Sequence, residues 1–143
     1  MLNKDKQIIA IIPARKGSKG FINKNRFIVN GRPLIDFTIQ EAKASKYIDE
    51  IYVSSDDDII IEHAKSQNVN TIKRPAKFSS DSAPASDVVE HCISIFGSSI
   101  INRDPYIIYL QPTSPLRKAS HIDDAFDLLV SNNKEHLISV TKM

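Results

Sequence analysis

Ile8-Ile9-Ala10-Ile11-Ile12-Pro13-Ala14-Arg15-Lys16-Gly17-Ser18-Lys19-Gly20, closed by Lys24-Asn25, reads as a buried strand that delivers a small-residue loop carrying several cations. Two glycines let a backbone approach a ligand closely. Successive N–H groups of such a loop can form an anion-binding nest. Arg15, Lys16, Lys19 and Lys24 add positive charge, and a guanidinium grips phosphate bidentately. The loop departs from both common phosphate motifs. A Walker A loop needs G-x-x-x-x-G-K-[ST], and the dinucleotide fingerprint needs G-x-G-x-x-G; here the glycines stand three positions apart. The spacing favours a phosphate-binding loop over a basic surface turn.

Working outward, short apolar runs alternate with helical periodicity, the pattern of an α/β domain with a mainly parallel sheet. Strands are expected at Gln7–Pro13, Glu50–Ser54, Asn70–Lys73, Tyr106–Leu110 and Leu137–Thr141. Helices are expected at Leu34–Ser45, with Pro33 suited to the first turn, and at Ile59–Ser66, Ser86–Phe96 and Ser120–Ser131. Ser120 and Asp123 have the spacing of a capping box. The Pro- and Ser-rich stretch from Lys73 to Ala85 reads as a long loop with a binding role or as a surface connection. In open α/β sheets, ligands sit beyond the carboxyl ends of the strands. The loops at Arg15, Ser54, Arg74 and Gln111 all follow strands, so a parallel sheet gathers them at one edge.

A length of 143 residues suits one domain. The net charge of +2 argues against general affinity for nucleic acid or membrane surfaces, so the cations matter by clustering. Cys92 is the single cysteine. It excludes an intramolecular disulfide, and its apolar helical face makes it a core residue rather than a nucleophile. The polar start, Met1 to Lys6, has no signal-peptide h-region, and no apolar run approaches the ~20 residues of a membrane span. A cytoplasmic location is expected. Asp56-Asp57-Asp58 is a better helix cap than metal site, since three consecutive side chains do not converge easily on one ion. His63, His91, His121 and His136 lack metal-ligand spacing.

The string Pro13-Ala14-Arg15-x-Gly17-Ser18-Lys19-Gly20 with Lys24-Asn25 resembles the signature of the acylneuraminate cytidylyltransferases, the CMP-sialic acid synthetases. Further matches follow in order: Gly31-Arg32-Pro33-Leu34, Ser54-Ser55-Asp56, Arg74-Pro75 with Asp81, and Leu110-Gln111-Pro112-Thr113-Ser114-Pro115-Leu116-Arg117. They span nearly the whole chain. The resemblance implies a Rossmann-like, mainly parallel sheet flanked by helices, of the nucleotide-diphospho-sugar transferase type. It implies transfer of CMP from CTP to a nonulosonic (sialic-type) acid, with release of pyrophosphate and with Mg²⁺ accompanying the CTP, as a step toward surface polysaccharide. Arg15 and Lys24 then fall on positions that hold the CTP phosphates and stabilise the charge of the reacting phosphoryl group. Ser18 is the loop hydroxyl near the phosphates. Asn25 and Arg74 fall on positions that read cytosine, and Gln111 on one that faces the sugar acid.

Each role has a plainer counterpart. Arg15 and Lys24 can be solvated loop cations, and Arg74 a surface residue in an extended segment. Asp81 reads as a brace for its loop. Gln111 reads equally as a backbone-bracing amide. Lys16 stands where the family usually has glycine, Phe21-Ile22-Asn23 is bulkier than the usual linker, and Ala85 lacks the hydroxyl often offered there to the base. Family members continue well beyond residue 143. The resemblance therefore implies a single CTP-binding domain over 1–143. The sugar-binding and homodimer-forming segment and the acidic metal-binding pair are missing, which leaves no metal ligand in this chain. The alternative is a non-catalytic CTP-binding module or fragment. Self-association or reduced solubility, through an open sheet edge and exposed apolar surface, is expected.

Overall fold

The computed structural model describes residues 6–17, 24–79 and 84–140. Ser18, Asp81 and the end of the expected last strand at Thr141 lie outside the described residues. The central strand β1, Ile8–Pro13, is apolar on both faces and almost fully buried, as expected for an inner strand of a parallel sheet. The other elements are the two-residue strands β2 (Ile28–Val29) and β3 (Arg32–Pro33), helix α1 (Leu34–Ala44), β4 (Glu50–Ser55), α2 (Asp58–Ser66), β5 (Asn70–Lys73), α3 (Ala85–Ile95), a single turn α4 (Ser98–Ile101), β6 (Tyr106–Tyr109) and α5 (Ala119–Ser131). Short 3-10 turns occupy Lys24–Arg26 and Ala76–Phe78.

The main sheet has the order β5-β4-β1-β6 and all its pairs are parallel. Alternate residues of β1 enter two different cores, because side chains along a strand point to opposite faces. Ala10 and Ile12 pack with Ile35 and Ile39 of α1, Ile60 and Ala64 of α2, and Ile122 of α5. Ile9 and Ile11 pack with Val88 and Cys92 of α3 and with Phe96. The chain builds outward from β1 through β4 to β5, then crosses back by α3 to place β6 on the other side of β1. The strand order therefore reverses between β1 and β6, and open α/β sheets bind ligands at such a switch point. The expected Rossmann-like architecture is present.

Three local features differ from expectation. The expected strand from Leu137 does not form: residues 137–140 belong to no strand, and Ile138 and Val140 are 84% and 89% exposed. A β-prone run needs a neighbouring edge for its backbone groups, and this run has none among the described residues. The Ser120–Asp123 capping box also gives way to tertiary contacts. Helix α5 begins at Ala119, whose N–H donates to Glu41 Oε2 at 2.8 Å, while the Lys118 N–H donates to His121 Nδ1 at 3.1 Å. Asp123 instead accepts from the Ser45 hydroxyl and the Lys46 N–H, which ties α5 to the end of α1. The β2–β3 hairpin was not anticipated. Its turn is Asn30-Gly31, with φ of 50° and 78°, and this dipeptide suits the left-handed positions of a tight hairpin. Cys92 is fully buried in the α3 core, as expected, and burial pushes its thiol pKa up. Among the described residues, no helix is long and apolar enough to cross a membrane.

Candidate functional site at the carboxyl ends of the strands

The parallel registers bring the strand ends together. Pro13 lies beside Ser54, and Ile11 beside Tyr109. The pairing continues past the strands: Ala14 N–H donates to Ser54 O at 2.9 Å, Leu110 N–H to Ile11 O at 2.9 Å, and Arg74 N–H to Ser55 O at 2.8 Å. Adjacent strands are only ~4.8 Å apart. The loops that begin at Arg15, Asp56, Arg74 and Gln111 therefore share one edge of the sheet.

The β4 turn organises the first loop. The Ser55 hydroxyl donates to the Ala14 carbonyl and accepts from the Asp57 N–H. Asp56 Oδ1 accepts from the Lys16 N–H at 2.7 Å. Asp57 caps α2 by accepting from the Ile59 N–H at 3.0 Å, which bears out helix capping for part of the acidic triplet. Asp58 is exposed and pairs with Lys73 at 2.6 Å, and that ammonium holds its carboxyl below the usual range.

Arg15 is half-buried at the end of β1, and Lys16 is exposed. Asn25, in the Lys24–Arg26 turn, is only 4% exposed. Its Nδ2 donates to the Arg15 carbonyl at 3.2 Å. That bond fixes which end of the amide is which, and leaves Oδ1 as a buried acceptor without a donor among the described residues. The structure thus brings Arg15 and Asn25 together. Lys24 opens the same turn, and its side chain lies outside the described set, as does Ser18.

Arg74 is not the surface residue of the plainer reading; it is 4% exposed. Nε donates to Ser54 Oγ at 3.2 Å, Nη2 to Ser54 O at 2.8 Å, and Nη1 to Phe78 O at 3.2 Å. All three acceptors are neutral, and burial pulls the guanidinium pKa down. Its place in the site is beside the β4 turn and beneath the 76–78 turn. Gln111 is exposed. Its side-chain amide makes no hydrogen bond among the described residues; the brace is its backbone carbonyl, which accepts from the Ser114 N–H and from Arg117 Nη2, each at 3.3 Å.

Gly17 has no positive φ, and a Cβ built there would meet nothing within 4 Å among the described residues. Gly17→Ala is therefore expected to melt within about 0.5 kcal/mol of wild type, as harmless surface changes do. If a bound phosphate group presses against this backbone, the variant's affinity for that ligand should fall. Unchanged affinity in a nucleotide titration would remove Gly17 from the contact.

A sequence model of the cytidylyltransferase family matches residues 9–143. The chain belongs to the cytidylyltransferase family. It is 34% identical over 137 residues to an N-acylneuraminate cytidylyltransferase of Escherichia coli, covering 95% of this chain and 32% of that protein. It is 33% identical over 135 residues to a pseudaminic acid cytidylyltransferase of Campylobacter jejuni, covering 94% of this chain and 58% of that protein. The chain thus spans about a third to just over half the length of these relatives. Among solved structures, a CMP:2-keto-3-deoxy-manno-octonic acid synthetase complexed with CTP superposes with a TM-score of 0.71 at 16% identity, covering 89% of this chain and 48% of that one. At that identity the match speaks for the fold, which is that of the nucleotide-diphospho-sugar transferases.

Proposed function

We propose that this chain is the CTP-binding portion of a cytidylyltransferase that joins CMP to a nonulosonic acid and releases pyrophosphate. The observation that supports it most directly is Asn25: a buried amide, anchored to the carbonyl of Arg15, with its Oδ1 lacking a donor among the described residues. Cytosine carries an exocyclic amino donor where uracil has a carbonyl acceptor, so an acceptor at this place favours CTP over UTP. Arg15 and Lys24 take the triphosphate. Their charge opposes the negative charge that builds on the α-phosphoryl oxygens as the sugar hydroxyl attacks. Ser18 adds a hydroxyl to the phosphate loop, Arg74 stands with Asn25 on the base side, and Gln111 faces the sugar acid.

Mg²⁺ belongs to the proposal as a companion of the CTP phosphates. The residues present do not make a cage for it: Asp56 and Asp57 already accept from Lys16 and Ile59 backbone groups, and no group of three acidic, His or Cys side chains among the described residues could hold a metal. A cytoplasmic location, where CTP is made, and a homodimer of the longer protein complete the reading. The exposed Ile138 and Val140 are apolar surface that such an assembly could cover.

The test is a thermal-shift titration with CTP, UTP, ATP and GTP, each with Mg²⁺. A ligand at 100 times its Kd stabilises a fold by about 2.7 kcal/mol. A shift for CTP well above the others is the expected result. Equal shifts for all four would reduce the chain to a generic phosphate binder. A second reading is CTP binding without turnover. Incubation with CTP and sugar acids decides between them, because pyrophosphate release requires turnover.

A further inference from the structure

Arg26 completes the Lys24-Asn25-Arg26 turn and by sequence looks like one more cation for a triphosphate. Its guanidinium is engaged elsewhere. Nε lies 2.8 Å from Asp57 Oδ2, an ion pair without the alignment of a hydrogen bond, and the Asp57 side chain is 4% exposed. The other oxygen of the same carboxylate caps α2 through the Ile59 N–H. One buried carboxylate therefore joins the start of α2 to the turn that carries Lys24 and Asn25. Among the described residues, the same segment is also tied by the Asn25–Arg15 bond at 3.2 Å and by a Leu34 N–H to Phe27 O bond at 2.8 Å.

We propose that Arg26 and Asp57 are positioning residues, and that their ion pair sets where Lys24 and Asn25 meet the nucleotide. The proposal rests on the CTP-binding reading above. Two arguments support it. A buried carboxylate left without its partner is costly, so the pair strongly prefers one arrangement. Binding groups must be held within ~0.5 Å of their productive geometry, so the turn's placement matters to affinity although neither residue touches the ligand.

The experiment uses Arg26→Gln, Asp57→Asn, Arg26→Lys and the Arg26→Gln/Asp57→Asn double variant. Asparagine is a good N-cap, so Asp57→Asn removes the charge and keeps the cap of α2. Calorimetric titrations with CTP, UTP and pyrophosphate are run well below the melting transition, with amide exchange measured over residues 24–29. Each single variant is expected to weaken CTP binding by about tenfold to 100-fold and to erode the preference for CTP over UTP. The double variant should be no weaker than the worse single, since coupled partners are not additive. Arg26→Lys should recover most of the loss. Exchange over 24–29 should quicken in the two singles and return toward wild type in the lysine variant.

Three results would overturn the proposal. Unchanged affinities with only a lowered melting temperature would make the pair structural. An equal loss for CTP, UTP and pyrophosphate in Arg26→Gln, with Asp57→Asn unaffected, would make Arg26 a phosphate ligand. Unchanged amide exchange in a chain that binds CTP would show that the pair does not hold the turn. A wild-type chain that binds no nucleotide would instead overturn the CTP reading, and the positioning role with it.

Discussion

Arg15→Ala is expected to abolish the CTP-induced rise in melting temperature while leaving the unliganded melt close to wild type. The backbone and the side chain of Arg15 have different roles. Its backbone carbonyl holds the Asn25 amide, and alanine keeps that carbonyl. The Asp56 contact to the Lys16 N–H is also a backbone bond on the loop side. The Arg15 side chain is half-buried beyond the core strand, so alanine there opens no cavity in the packed core, the change that destabilises folds most. The lost guanidinium is a different matter. It stands at the end of β1, beside the β1/β6 switch point, and charge-assisted contacts to phosphate are about twice as strong as neutral ones. At a CTP concentration of 100 times the wild-type Kd, most of the stabilisation of about 2.7 kcal/mol should vanish. A full CTP shift in the alanine variant would take Arg15 out of the site.

The elements legible in the sequence were those whose signal is local. β1 announces itself by Ile8 to Ile12 because an inner parallel strand is apolar on both faces, and α2 by aspartates at its start. The Asn30-Gly31 turn was also local and readable, yet its two-residue strands are too short to give any alternation. The last expected strand shows the limit of apolar runs: Leu137, Ile138 and Val140 have β propensity, but a strand is defined by the edge it joins. The site was legible as a set of loops, since every loop follows a strand. Its internal bonds were not. Ser55 to Ala14, Asp56 to Lys16 and Arg26 to Asp57 connect residues far apart in the chain, and nothing in their spacing announces them. The small-small-Asp turn at Ser54-Ser55-Asp56 was the nearest available sign, because short polar residues after a strand commonly bond neighbouring backbone.

Arg74→Met is expected to destabilise the fold by about 2 kcal/mol, read as a lower urea midpoint with unchanged slope. Two large effects oppose each other. Wild-type Arg74 makes three hydrogen bonds from a charged donor, each worth ~1.5–3 kcal/mol. Against that, the guanidinium is buried against neutral acceptors, and burial of a charge costs several kcal/mol; the downward pull on its pKa has this cause. Methionine removes both and roughly keeps the volume. The loss is also cushioned at Ser54, whose carbonyl still accepts from the Ala14 N–H, whereas Ser54 Oγ and the Phe78 carbonyl lose a donor. The bonds should prevail by a small margin. Arg74→Lys should fare no better, because a single ammonium cannot reach Ser54 Oγ, Ser54 O and Phe78 O along three directions, and a buried lysine deprotonates readily. A wild-type urea midpoint in the methionine variant would show that desolvation cancels the bonds. The nucleotide titration on the same variant separates bracing from base contact. If Arg74 only braces the β4 and 76–78 turns, CTP and UTP affinities fall together; if it also meets the base, the preference for CTP narrows as well.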